Sequence, residues 1–173
     1  MVILVLLAGG VLWSILGGMP YINSLRSKWE AQRLQDQWEK PYREDKYGGK
    51  TPEETYDMFI KALKNNNAEL SSKYFRVDRQ KEWLKTLTEY KNKNLLANLA
   101  QELEEKKKSW SITDKSEEKI VFTYTYVVES PYVEKLPLGN GKFQELTHPT
   151  GKFKADTIFN KNTLTNIWKI YVL

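Results

Sequence analysis

The sequence predicts an α+β fold: an N-terminal transmembrane helix, then helices packed on a curved antiparallel sheet. Three observations carry this expectation. No residue from Val2 to Leu25 is charged. Residues 51–107 carry apolar side chains at helical spacing, and after Ser109 the period changes to two. Helical segments come first and strands follow, without the βαβ alternation that a parallel sheet needs.

The apolar run Val2–Met19 is long enough to cross most of a hydrocarbon core, which takes about 20 apolar residues. A cleaved signal peptide would carry a basic start and a small-x-small cleavage site. Neither is present, so residues 1–22 read as a retained anchor. Gly10, Ser14 and Gly18 recur every four residues and share one helix face, which makes them candidates for close packing between two membrane helices. The alternative is incidental glycine, common in such segments. Arg26, Lys28 and Arg33 follow the run and nothing basic precedes it, so the positive-inside rule would hold the rest of the chain in the cytoplasm.

Residues 23–49 read as a helical connector. The stretch 22–40 lacks glycine and proline, but Trp29, Leu34 and Trp38 form no clean stripe, so a stalk and a domain-packing helix both fit. Pro41 is expected to end it, and Tyr47-Gly48-Gly49-Lys50 reads as a flexible joint. The soluble domain is placed at residues 50–173.

Its first helix has the clearest local signal in the chain. Thr51 is the cap, Pro52 suits the first helical position, and Glu54 completes a capping box. Tyr56, Phe59, Ile60 and Leu63 follow as a core-facing stripe, and Asn65-Asn66-Asn67 stops the helix. A short helix over Ala68–Phe75 comes next. The third helical region, 78–107, carries Trp83, Leu84 and Leu87, then Leu95, Leu96, Leu99 and Leu103, with Lys91-Asn92-Lys93-Asn94 a kink or break between them.

Trp110 and Ile112 begin the strands, and Asp114-Lys115-Ser116-Glu117 is a turn. Ile120, Phe122, Tyr124, Tyr126 and Val128 then alternate with Val121, Thr123, Thr125 and Val127, with the bulky even-numbered face toward the helices. Residues 131–146, interrupted by Pro131, Pro137 and Gly139-Asn140-Gly141, form an edge strand or a long hairpin. Phe153–Phe159 pairs with Leu164–Val172 across Asn160-Lys161-Asn162-Thr163.

Composition narrows the chemistry. The chain has no cysteine, which removes disulfides, thiol catalysis and Cys-ligated zinc. The single His148, in Thr147-His148-Pro149, reads as a solvated loop residue, so no metal site and no cofactor are expected. Of the +5 net charge, only residues 130–173 are unbalanced, with Lys152, Lys154, Lys161 and Lys169 among them. This is no nucleic-acid footprint, which would want a basic stripe on one face.

Thr51-Pro52-Glu53-Glu54-Thr55-Tyr56 through Phe59, the Leu63-Lys64-Asn65 helix end, the Ala68–Phe75 helix and the final Asn166-Ile167-Trp168-Lys169-Ile170 strand resemble the nuclear-transport-factor-2-like superfamily. The resemblance covers about residues 50–173 and is carried by structural motifs. It implies a sheet curled around helices into a cone whose mouth can hold a small ligand. The superfamily includes isomerases, dehydratases, ligand-binding domains and membrane-anchored extracytoplasmic scaffolds, among them a component of type IV secretion machines. An anchor followed by one such domain is most similar to the last group. That likeness implies a single-pass membrane protein with an extracytoplasmic domain, against the sidedness the flanking charges suggest.

Tyr56, Trp110, Tyr124, Tyr126 and Trp168 are the ligand-pocket candidates of such a cone. An isomerase-like enzyme would also need a carboxylate inside it, and Asp57 and Asp156 fall on outward phases. No catalytic residue is assigned. The chain therefore reads as a non-enzymatic binding or scaffold domain, with a membrane and a protein or a second copy as partners. A small-molecule-binding or isomerase-like enzyme is the alternative.

Overall fold

A computed structural model describes residues 18–139 and 142–173. The chain divides into two compact units, one ending at Glu44 and the other running from Asp45 to Leu173.

In the first unit, α1 (Gly18–Arg43) is a single helix. It is laced by ion pairs such as Arg26–Glu30 (3.3 Å) and Arg43–Glu39 (3.4 Å), spaced as neighbours on a helix surface. Trp29 and Trp38 stand about three-quarters exposed on it. Pro41 lies inside the last turn instead of ending the helix. A proline this near the C-terminus removes one main-chain bond, and Glu44 N–H still reaches Lys40 C=O at 3.0 Å.

The expected fold class is corrected at its N-terminus. Among the described residues no helix is long and apolar enough to cross a membrane. Within α1 only Gly18–Leu25 precede the first charge, at Arg26, far short of the about 20 apolar residues that a span takes, and residues 1–17 lie outside the described residues. The expected packing positions Gly10 and Ser14 lie outside the described residues, and Gly18 is the first residue of α1.

The second unit is α+β, with helices packed on an antiparallel sheet. Four helices come first: α2 (Pro52–Lys64), α3 (Ala68–Lys73), α4 (Gln80–Asn92) and α5 (Leu96–Lys108), with a 3₁₀ turn at Val77–Arg79. Their limits follow local chemistry. Thr51 Oγ1 accepts from Glu54 N–H (3.1 Å), while the Glu54 carboxylate accepts from Lys50 N–H (2.7 Å), one residue earlier than a strict capping box. Asn66 and Asn94 take the left-handed conformation (φ 53° and 56°) after α2 and α4. Asparagine tolerates that conformation because its short side chain bonds locally.

The strands are β1 (Ser111–Lys115), β2 (Lys119–Val128), β3 (Tyr132–Gly139), β4 (Lys142–His148), β5 (Gly151–Asn162) and β6 (Ile167–Val172). The four-stranded sheet has the order β1-β2-β5-β6, and β3 and β4 pair separately as a hairpin joining β2 to β5. His148 is therefore a strand residue, half-buried, with its ring stacked on Tyr132 at 4.4 Å, and not the solvated loop histidine expected. The reason is the length of the hairpin, which carries pairing as far as Tyr132 opposite His148.

The core lies between the helices and the even-numbered face of β2. Tyr56, Phe59, Leu63, Phe75, Leu87, Leu96, Leu103, Phe122, Phe159 and Ile170 are buried there. Its polar counterpart is the Asp45–Lys169 ion pair (2.7 Å), with both side chains almost wholly buried. Lys169 Nζ also donates to the carbonyls of Tyr47 (2.5 Å) and Lys73 (2.6 Å), so its three protons have three acceptors. Gly48 and Gly49 form no flexible joint. Gly48 has φ +148°, and a Cβ there would sit 2.4 Å from Trp168 O; a Cβ on Gly49 would sit 2.4 Å from Glu54 Cβ. The segment is glycine because the chain is pressed against β6 and the start of α2.

Candidate functional site

The sheet brings together two of the five pocket candidates. Tyr124 and Tyr126 are neighbours on one face of β2, with ring centroids 6.3 Å apart. They line an open groove of about 800 Å³ between the last turns of α5 and the second half of β2. Glu102, Glu105 and Lys106 form the helical wall, because positions three and four apart share a helix face. Ala155, opposite Tyr124 on β5, is small and leaves the floor open. Val127 and Tyr132 extend the wall beyond the tyrosines.

Charge in the groove is held in place. Lys106 Nζ bonds Glu102 Oε1 at 2.6 Å and lies 5.4 Å from the centre of the Tyr124 ring, a cation–π arrangement. Burial works to lower the Lys106 pKa, but the Glu102 hydrogen bond and the neighbouring Tyr124 outweigh it and hold the ammonium above the ordinary lysine value. Lys106 is thus held between the Glu102 carboxylate and the Tyr124 ring. Glu102 and Glu105 are largely exposed, and Glu105 pairs with Lys108 at 2.6 Å.

The other three candidates lie elsewhere. Tyr56 is fully buried and its hydroxyl donates to Leu103 C=O at 3.3 Å. Burial above all, with the nearby Tyr124, Glu102 and Asp57, pushes its pKa well above the ordinary tyrosine value. Trp110 stacks on Phe122 (4.4 Å, 22°) and contacts Tyr56 (4.4 Å). Phe159, Phe59, Phe75 and Trp83 continue this chain of rings, so Tyr56 and Trp110 belong to the packed aromatic core. Trp168 is buried and acts through its main chain: its N–H donates to Gly49 C=O (3.0 Å), and its C=O accepts from Thr55 Oγ1 (2.9 Å).

Among the described residues the one buried carboxylate is Asp45, and it is committed to Lys169 away from the groove. Also among the described residues, no group of three or more histidine, aspartate or glutamate side chains is arranged to hold a metal ion. Sequence reasoning did not single out Lys106, Glu102 or Val127. Lys106 and Glu102 are legible as an i,i+4 pair, but nothing in their spacing says that β2 lies beside them. No protein-family model matches the chain, and neither a curated protein nor a solved structure is found to match it.

Proposed function

We propose that the second unit is a non-enzymatic binding domain that docks another polypeptide in the groove between α5 and β2. The observation that carries this is the character of the groove: open, about 800 Å³, walled by Tyr124, Tyr126, Val127 and Tyr132, with one fixed cation. General acid–base chemistry wants a desolvated group with its pKa moved toward the working pH. The carboxylates of this groove are instead largely exposed, with side-chain exposures of 60% for Glu102 and 62% for Glu105. Tyrosine-rich walls with a polar rim suit polypeptide recognition, because tyrosine gives large contact area at low entropic cost. The helices-then-sheet order and the capped α2 are also consistent with the nuclear-transport-factor-2-like build, a superfamily that includes scaffolds.

The test is selection of peptides from a random display library against the full chain, followed by amide shift mapping. Selected peptides are expected to move the resonances of residues 124–130 and 102–106. A panel of small metabolites that shifted Tyr56, Trp110 and Phe122 instead, with residues 124–130 unmoved by any peptide, would overturn the reading.

A further inference from the structure

The groove runs along a strand edge whose main-chain groups have no partner strand among the described residues. β1 stops opposite Thr123, so among the described residues Tyr124–Val128 pairs with a strand only on its β5 side. The phase of the ladder is fixed by Lys161 N–H donating to Glu118 C=O at 2.8 Å. The register then runs without a break from Lys119 opposite Asn160 to Val128 opposite Gly151. In an antiparallel ladder bonded pairs alternate, so the even-numbered residues of β2 bond β5 and the odd-numbered ones turn outward. Thr123 confirms the phase, since its carbonyl accepts from Ser111 Oγ on the β1 side. Thr125 and Val127 therefore direct their N–H and C=O groups to the open edge, where Val127 is 59% exposed.

Every other edge of this sheet is protected in a recognisable way. β6 is covered by main-chain bonds: Trp168 N–H to Gly49 (3.0 Å), Ile170 N–H to Tyr74 (3.0 Å), and Arg76 N–H to Ile170 (3.0 Å). β1 is five residues long, carries Asp114 and Lys115, and has an irregular register between Ile112 and Asp114. The part of β5 that extends beyond β6 begins with Gly151 and exposes Lys152 and Lys154. Short length, bulges, covering segments and lysines are how natural sheets prevent unwanted pairing. Tyr124-Thr125-Tyr126-Val127-Val128 has none of these: no charge, no proline, no glycine, and five residues of high strand propensity.

We propose that this edge is a β-addition site, where an extended basic segment of a partner protein joins the sheet as a strand beside β2. The proposal rests on the binding reading above and names its mode and partner chemistry. Five residues of β2 offer about 17 Å of strand, enough for one short partner segment. Charge selects a basic occupant. Glu102, Glu105 and Glu129 line the groove; Lys106 and Lys108 pair with the first two, and Glu129, without an ion pair among the described residues, leaves the groove's uncompensated charge negative. Alternate side chains of the added strand would enter the groove, where a lysine's apolar stem lies on Tyr124 and Tyr126 while its ammonium meets the glutamates, and the intervening ones would lie beside the exposed Val127, so lysine and valine in alternation fit it.

The probe is an acetylated, amidated seven-residue peptide of alternating lysine and valine, titrated into the full chain. Controls are the same peptide N-methylated at the amides of one edge, and its glutamate–valine counterpart. The Val127→Pro variant removes one outward N–H while leaving the β5 ladder intact, a position where an edge strand tolerates proline. Binding of the lysine peptide is expected to fall at least tenfold on methylation and in Val127→Pro. Equal binding of the methylated peptide would refute strand addition even if Val127→Pro failed to fold, and would leave the binding reading intact. Equal binding of the glutamate peptide would refute the basic partner. A peptide-free dimer abolished by Val127→Pro would assign the edge to a second copy instead. Failure of every peptide, those from the display library included, would remove the binding reading itself.

Discussion

At the scale of single residues, the buried polar side chains carry testable energetics. The Tyr56 hydroxyl has its pKa raised by burial, and Tyr74 is raised for the same main reason. Above about pH 10 an unfolded chain releases these protons while the native chain keeps them. The native state then binds more protons, so stability falls as pH rises past that point. Lys169 acts in the opposite sense below that range. Burial lowers its pKa against the opposing pull of Asp45, so the native chain releases that proton first and stability gains as pH approaches about 10. Tyr56→Phe is expected to cost about 1 kcal/mol at pH 7 through the lost bond to Leu103. That difference from the parent should shrink above pH 10 in urea unfolding curves; curves parallel at every pH would contradict it. Lys169→Met strands the Asp45 carboxylate in the interior and is expected to cost about 3–5 kcal/mol. Adding Asp45→Asn should cost less than the sum of the two single changes, whereas strict additivity would show the pair uncoupled.

At the scale of elements, local signals decide where each one starts and stops. Thr51→Ala removes the cap of α2 and is expected to cost about 1 kcal/mol, read as a lower urea midpoint at unchanged slope. Elements of this kind were legible because their signals lie within a few residues of one another. The α2 cap, the Asn66 and Asn94 stops and the alternation of β2 all belong to that class. What was not legible depends on distant chain. Gly48-Gly49 looks like a joint until Trp168 and Glu54 are placed against it. Pro41 looks like a stop, yet α1 continues for two residues beyond it because so few bonds remain to be lost. Lys169 reads as a surface lysine on a basic segment, and only the return of β6 beside Asp45 and the end of α3 buries it.

At the scale of the molecule, order and class of elements followed from the change of period near Ser109, and the antiparallel sheet followed from the absence of βαβ units. Among the described residues no helix is apolar enough to be the expected transmembrane span, since α1 carries charge from Arg26 onward. Residue type and strand phase mark the five aromatic pocket candidates, and these cannot separate a ring that packs from one that lines a groove. Tyr56 and Trp110 pack against other rings, Trp168 holds Gly49, and only Tyr124 and Tyr126 face the groove. The open edge beside them was invisible for a similar reason, because it depends on β1 ending opposite Thr123. The most direct test of this account is residue-resolved amide exchange of the full chain with and without the lysine–valine peptide. Thr125 and Val127 are expected to exchange faster than Tyr124 and Tyr126 in the free chain and to become protected by the peptide, with Tyr56 and Trp110 unchanged. Uniform exchange along β2, or protection arising at Tyr56 and Trp110 instead, would contradict it.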